Sequence, residues 1–153
     1  MASNSNNSQT TCQLLQIMLE VALLGKPYPG QKTASSFFPD IEMVKERDEI
    51  VVSDRNIGEG CQVDVPGYRM VVLSDEEINA RADASGDFPY FTLTEANVGP
   101  DQATLSLQLS YAASEASKQA GKVYLGGGGV RVKFEFHHGE WQAPSGPIAT
   151  WMA

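Results

Sequence analysis

The stretch Lys122–Gln142, KVYLGGGGVRVKFEFHHGEWQ, constrains the fold of this chain more than any other. From Val130 it alternates strictly: Val130, Val132, Phe134 and Phe136 share one parity, and Arg131, Lys133, Glu135 and His137 the other. Successive side chains of a strand point to opposite faces, so a period of two sets the first group on a core and the second in water. No helical period fits these residues. The stretch reads as one long strand, bent or interrupted at Gly126–Gly129, that turns over at His138-Gly139 into a partner strand.

A first helix is predicted from Thr10 or Thr11, either of which can cap it, to Leu24, with Gly25 and Pro27 as its stop. Residues 1–9 are polar and low in complexity and are expected to form a disordered tail, leaving 10–153 as a single α+β domain. Gln13, Gln16 and Glu20 make a narrow polar stripe on the helix, and Leu14, Leu15, Ile17, Met18, Val21, Ala22 and Leu24 cover the rest. Such a helix must be buried broadly, either against a sheet or against a second copy of the chain.

Lys26–Pro39 reads as loop, held to the core by Phe37 and Phe38, and Asp40–Arg47 as a short helix. Glu49–Ser53 and Tyr68–Leu73 are expected to be short strands, with Gln62–Val65 pairing briefly between them. Ser74-Asp75-Glu76-Glu77 is a capping box that opens a helix to about Ala84, closed by Ser85-Gly86. Its carboxylates suit the positive end of a helix, and capping accounts for them without any acid/base role. Phe88–Val98 and Gln102–Tyr111 form a hairpin around Gly99-Pro100-Asp101, with Ala103, Leu105, Leu107, Leu109 and Tyr111 on its core parity. A polar connection over Ala112–Gly121 follows, and Trp141, Pro144, Pro147 and Trp151 are expected to clamp a sheet edge. The sum is an α+β fold: a curved antiparallel sheet of roughly five or six strands, packed by the N-terminal helix and the short capped helix.

Composition limits the partners. The chain has 153 residues, 42% hydrophobic and 20% charged, which fits one ordinary globular domain and not a disordered segment. A net charge of -8 argues against nucleic acid or a polyanionic membrane surface, since both need clustered Lys and Arg. The most apolar run, Leu14–Leu24, falls short of the roughly 20 residues that a membrane span needs, and no basic segment precedes it as in a signal peptide. The chain therefore reads as cytoplasmic as it stands, or extracytoplasmic if its Ser/Asn-rich opening stands in place of a removed leader. Cys12 and Cys61 are too few for a disulfide scaffold. They form either one bridge from the first helix to the middle of the chain or two separate buried thiols.

No motif announces chemistry. Gly126–Gly129 leads into a strand and lacks the helix whose free amides make a phosphate loop, so it reads as a bend, a bulge or a close backbone approach. His137 and His138, the only histidines, point to opposite faces of a strand and cannot jointly hold a metal. His138 reads as a turn residue, and His137 shares the polar face with Arg131 and Glu135. No nucleophile elbow occurs, and no cofactor or metal is expected.

The order of apolar first helix, short capped helix and long-stranded meander, closing on Gly139-Glu140-Trp141, resembles the NTF2-like (cystatin-like) α+β superfamily. The likeness lies over the C-terminal half and in architecture. It implies a curved sheet around a pocket, in a group that holds both pocket enzymes and non-catalytic binding modules. No catalytic residue carries over.

The functional expectation is a small, non-catalytic binding domain with an apolar pocket or dimer surface on its curved sheet, taking a small apolar ligand or a protein partner, and forming a homodimer if the first helix needs a second copy. Phe91, Leu107, Leu109, Phe134, Phe136 and His137 are the candidate ligand-facing residues. The rival is a small lyase, isomerase or hydrolase, which would require a histidine or carboxylate inside the pocket.

Overall fold

The structure, a computed structural model, describes residues 2–34, 38–121 and 127–151. The expected strand segment from Lys122 through Gly126, and the expected packing of Phe37, lie outside the described residues.

The fold is α+β, with a mixed, curled sheet packed between helices. In chain order the elements are α1 (Ala2–Leu24), α2 (Ile41–Lys45), β1 (Ile50–Ser53), β2 (Met70–Leu73), α3 (Asp75–Ser85), β3 (Phe88–Val98), β4 (Gln102–Ala112), α4 (Glu115–Gln119), β5 (Gly129–His137), β6 (Glu140–Gln142) and β7 (Pro147–Trp151). The strands lie in the order β2-β1-β3-β4-β5-β6, and β7 also pairs with β5. From β3 onward every pairing is antiparallel, as expected. β1 departs from that pattern, because it runs parallel to both β2 and β3.

α1 begins at Ala2, ahead of the Thr10 or Thr11 cap read from the sequence. Its apolar side is buried within its own chain: Leu14, Leu15, Met18, Leu19, Val21, Ala22 and Leu23 join Phe91, Leu93, Leu105, Leu107, Leu109, Val132 and Phe134 in one core. α1 thus lies across the sheet. α3 covers the opposite face, where Ile78 and Ala82 pack on Val51, Leu73, Phe88 and Ala112. This explains why all of β1 is buried. Ile50 and Val52 face α1, Val51 faces α3, and a strand covered on both sides cannot alternate apolar with polar.

The capping box forms as read: Ser74 Oγ accepts from the Glu77 amide at 3.2 Å, and Glu77 Oε1 accepts from the Ser74 amide at 3.1 Å. In β5 the alternation holds through Glu135. Val130, Val132 and Phe134 are buried, while Arg131 and Lys133 are exposed. Phe136 corrects it, being 39% exposed although it shares the core parity. There α1 stands across a groove from β5 and does not pack directly on it.

The described part of the glycine run, Gly127–Gly129, gives the close backbone approach read from the sequence. Leu109 donates its amide to Gly128 and accepts from Gly127, so two residues oppose one in a bulge. A Cβ on Gly127 would lie 2.5 Å from Leu109 Cδ2, and one on Gly129 2.2 Å from Trp151 Cζ2. Both glycines therefore admit a neighbouring side chain that no larger residue would tolerate.

β1 and β2 are parallel neighbours joined by residues 54–69, which hold no helix. A parallel crossover ordinarily packs through its own helix. Here it packs on α1 instead. Cys12 and Cys61 form a disulfide across 49 positions of sequence, settling the two alternatives left open by the sequence. Val63 and Val65 enter the α1 core, and the Tyr68 hydroxyl donates to the Leu23 carbonyl at 3.5 Å. Asn56, at φ 63°, reaches from the same loop to the Leu93 carbonyl at 2.7 Å. That contact sits at the β3 irregularity between Leu93 and Glu95.

Candidate functional site

At the end of the sheet where Phe136 emerges, three elements enclose a groove of about 980 Å³. α1 contributes Asn7, Thr10, Gln13 and Ile17, the β3–β4 turn contributes Val98, Gly99 and Pro100, and the β5–β6 hairpin contributes Phe136, Gly139, Glu140 and Trp141. Pro29 closes one side.

Local chemistry fixes each wall. His138 (φ 53°) and Gly139 (φ 80°) both occupy the left-handed region required by a two-residue hairpin turn, which sets His137 opposite Glu140 and Phe136 opposite Trp141. The two rings meet at 5.1 Å between centroids and 56° between planes. The Phe136 amide donates to the Asp101 carbonyl at 2.9 Å, tying the β3–β4 turn to β5. The Ala143 amide donates to the Pro29 carbonyl at 2.7 Å, tying the loop after α1 to the segment after β6. Ile17 and Trp141 rest on the core from the groove side. The groove is therefore framed by α1 and two hairpin turns, with an aromatic floor and a wall of amides and a hydroxyl.

Of the six candidate ligand-facing residues read from the sequence, only Phe136 lines this groove. Phe91, Leu107, Leu109 and Phe134 are fully buried and make the core between α1 and the sheet. Phe134 meets the Tyr28 ring edge-on at 6.2 Å, and Phe91 meets Phe38 at 5.5 Å. His137 lies in the open, with Nε2 3.8 Å from Glu135 Oε2 and the two side chains 54% and 33% exposed. It faces water, as its parity implies. Sequence reading missed Ile17, Val98, Pro100 and Trp141 as groove residues. The signal for Trp141 was present: a two-residue turn at 138–139 pairs positions 136 and 141. Nothing local marked the approach of α1 and the β3–β4 turn.

Other polar groupings have structural work. On the face of β3–β5 away from α1, Glu95 accepts from Ser106 Oγ at 2.9 Å, from Asn97 at 3.1 Å and from Arg131 Nε at 3.0 Å. Asp75 accepts from Arg55 at 2.8 Å and from Ser53 at 3.4 Å, and the guanidinium holds its carboxyl below the usual range. The Glu77 carboxyl is also lowered, by the backbone and then the side chain of Ser74. Burial pushes Tyr28 upward, and burial followed by the hydrogen bond to Asp40 at 2.7 Å pushes Tyr111 up to about 12. Asp87 accepts from the Ser114 amide and from Ser117 Oγ, each at 2.7 Å, which fixes the start of α4. Among the described residues no group of three or more His, Cys, Asp or Glu is placed to hold a metal ion, and no helix is long and apolar enough to cross a membrane.

Comparison with known protein families, with curated proteins and with solved structures finds no match to this chain.

Proposed function

We propose that this protein is a non-catalytic binding module whose ligand occupies the groove between α1, the β3–β4 turn and the β5–β6 hairpin. The observation that carries the reading is Phe136. A large aromatic side chain left 39% exposed, packed at a tilt against Trp141 and set in a concavity, is the arrangement that a ligand's apolar face completes. The lining favours an uncharged small molecule with a flat hydrocarbon or aromatic face. Phe136, Trp141, Ile17, Val98 and Pro100 take that face, while Thr10 and Gln13 take a hydroxyl or amide edge. Among the described residues that line the groove Glu140 alone is titratable, a lining that favours binding over general acid–base catalysis. A curled sheet closed by an N-terminal helix supports the proposed NTF2-like relationship at the level of architecture alone.

The test is a ¹H–¹⁵N correlation titration of the full chain with neutral aromatic fragments, indole and benzyl alcohol. Saturable shifts should gather on Ile17, Val98, Gly99, Phe136 and the Trp141 indole N–H. Saturable shifts clustered elsewhere, or none at millimolar fragment, would reject the groove as the binding site.

A further inference from the structure

We infer that the Cys12–Cys61 disulfide is a redox-sensitive clasp that holds the first turns of α1 against the β1–β2 crossover, and so sets the α1 wall of the groove. The part concerning the groove rests on the proposed function; the clasp itself does not.

Three observations meet at this bridge. First, the bridge is accessible. Cys12 and Cys61 are each only partly buried and line a separate open concavity of about 610 Å³ with Ser8, Gln9, Gly58, Glu59 and Gln62, among others. A reductant can therefore reach sulfur without unfolding the chain. Second, the bridge joins α1 to a segment with no ladder of its own: Asp54 through Cys61 form no helix or strand, and Gly58 packs directly on Ser8 of α1, where an added Cβ would lie 2.7 Å from Ser8 Cβ. Third, the next ties down the chain do not depend on it. One turn beyond Cys12, the Gln16 side-chain amide pairs with the backbone of Asp64, and Val63 and Val65 are buried in the core. On the crossover side Asn56 stays tied to the Leu93 carbonyl and Ile57 to the core, so opening the bridge should release residues 7–13 and 58–62 and stop at Gln16.

That boundary reaches the groove. Gln13 lines both concavities, and Asn7 and Thr10 belong to the same turns of α1. Loosening these turns removes the polar wall while leaving Phe136 and Trp141 in place.

The chemistry balances with a dithiol. Its thiolate attacks one sulfur of the bridge and expels the other cysteine as a thiolate, which takes up a proton. The second thiol of the reductant then attacks the mixed disulfide. Two electrons and two protons pass to the protein, leaving Cys12 and Cys61 as thiols and the reductant as a cyclic disulfide.

The experiment is hydrogen exchange on the full chain, oxidised and after dithiothreitol, with Cys12→Ser/Cys61→Ser as a reductant-free control. Indole affinity is measured on the same samples. Exchange over residues 7–13 and 58–62 should quicken by roughly tenfold or more, with β3, β4 and β5 unchanged. Indole affinity should fall by about fivefold or more, since the lost wall supplies only the polar part of the contact. Unchanged exchange in those segments would overturn the clasp, and so would lost protection throughout the sheet. Local release with unaltered affinity would overturn its link to the groove. If the oxidised protein binds no indole, the groove reading fails separately and the exchange pattern alone decides the clasp.

Discussion

The side-chain amide of Gln16 pairs with the backbone of Asp64 in both directions, its Oε1 accepting the Asp64 N–H at 2.8 Å while its Nε2 donates to the Asp64 carbonyl. A helix side chain here supplies what a neighbouring strand would supply in a sheet. It docks a crossover that has no helix of its own. Gln16→Ala should cost about 1 kcal/mol in urea denaturation, because water can satisfy the exposed Asp64 groups in part. Gln16→Glu keeps the acceptor but sets a carboxylate against a carbonyl, and should do no better. Stability equal to the parent chain in both variants would show that the pairing contributes nothing.

The disulfide closes a loop of 49 positions, which by the chain-entropy account stabilises the fold by roughly 4 kcal/mol. The Cys12→Ser/Cys61→Ser double variant should lose about that much in denaturant midpoint analysis while keeping its far-ultraviolet dichroism. A change below about 1 kcal/mol would contradict a native bridge between these residues.

Gly129 carries the Trp151 indole, whose Nε1 donates to Gln108 Oε1 at 3.3 Å. Gly129→Ala should destabilise by about 1–3 kcal/mol through overpacking. In the Trp151→Ala background the same substitution should cost far less, so the double-mutant cycle should be strongly non-additive. Additive effects would mean that the close approach is absent in solution.

The α3 cap gives a pH dependence with a definite sign. The Glu77 carboxyl is lowered by Ser74, so its contribution is complete above the usual carboxylate range and is lost as pH falls through the lowered value. Ser74→Ala should therefore cost about 1 kcal/mol near neutrality, and the deficit should narrow in acid. A deficit that stays constant or widens as pH falls would contradict the reciprocal capping box.

Much of this fold was legible because the signals were local. The period of two in Val130–Glu135, the Ser74–Glu77 spacing and the His138-Gly139 turn each depend on neighbours in sequence, and each is realised. What escaped depends on distant partners. The parallel pairing of β1 with β2 and β3 follows from two crossovers, residues 54–69 laid on α1 and α3 laid on the opposite face, and the strands themselves carry no mark of it. Phe136 had the core parity and stood among the candidate ligand-facing residues; it lines the groove because α1 stands across from it there and does not pack upon it. Phe91, Leu107, Leu109 and Phe134 show the reverse limit: alternation identified buried side chains and could not distinguish a filled core from a pocket wall.

The direct measurement is the dissociation constant of indole for the parent chain and for Phe136→Ser, with thermal stability recorded on both. Phe136 is half open to solvent near the end of its strand, so its replacement should leave Tm within a few degrees. Affinity should fall by about tenfold, as expected when an aromatic contact of about 1.4 kcal/mol is removed. Equal affinity in the two proteins, at equal stability, would contradict the assignment of the Phe136–Trp141 groove as the place where this protein binds.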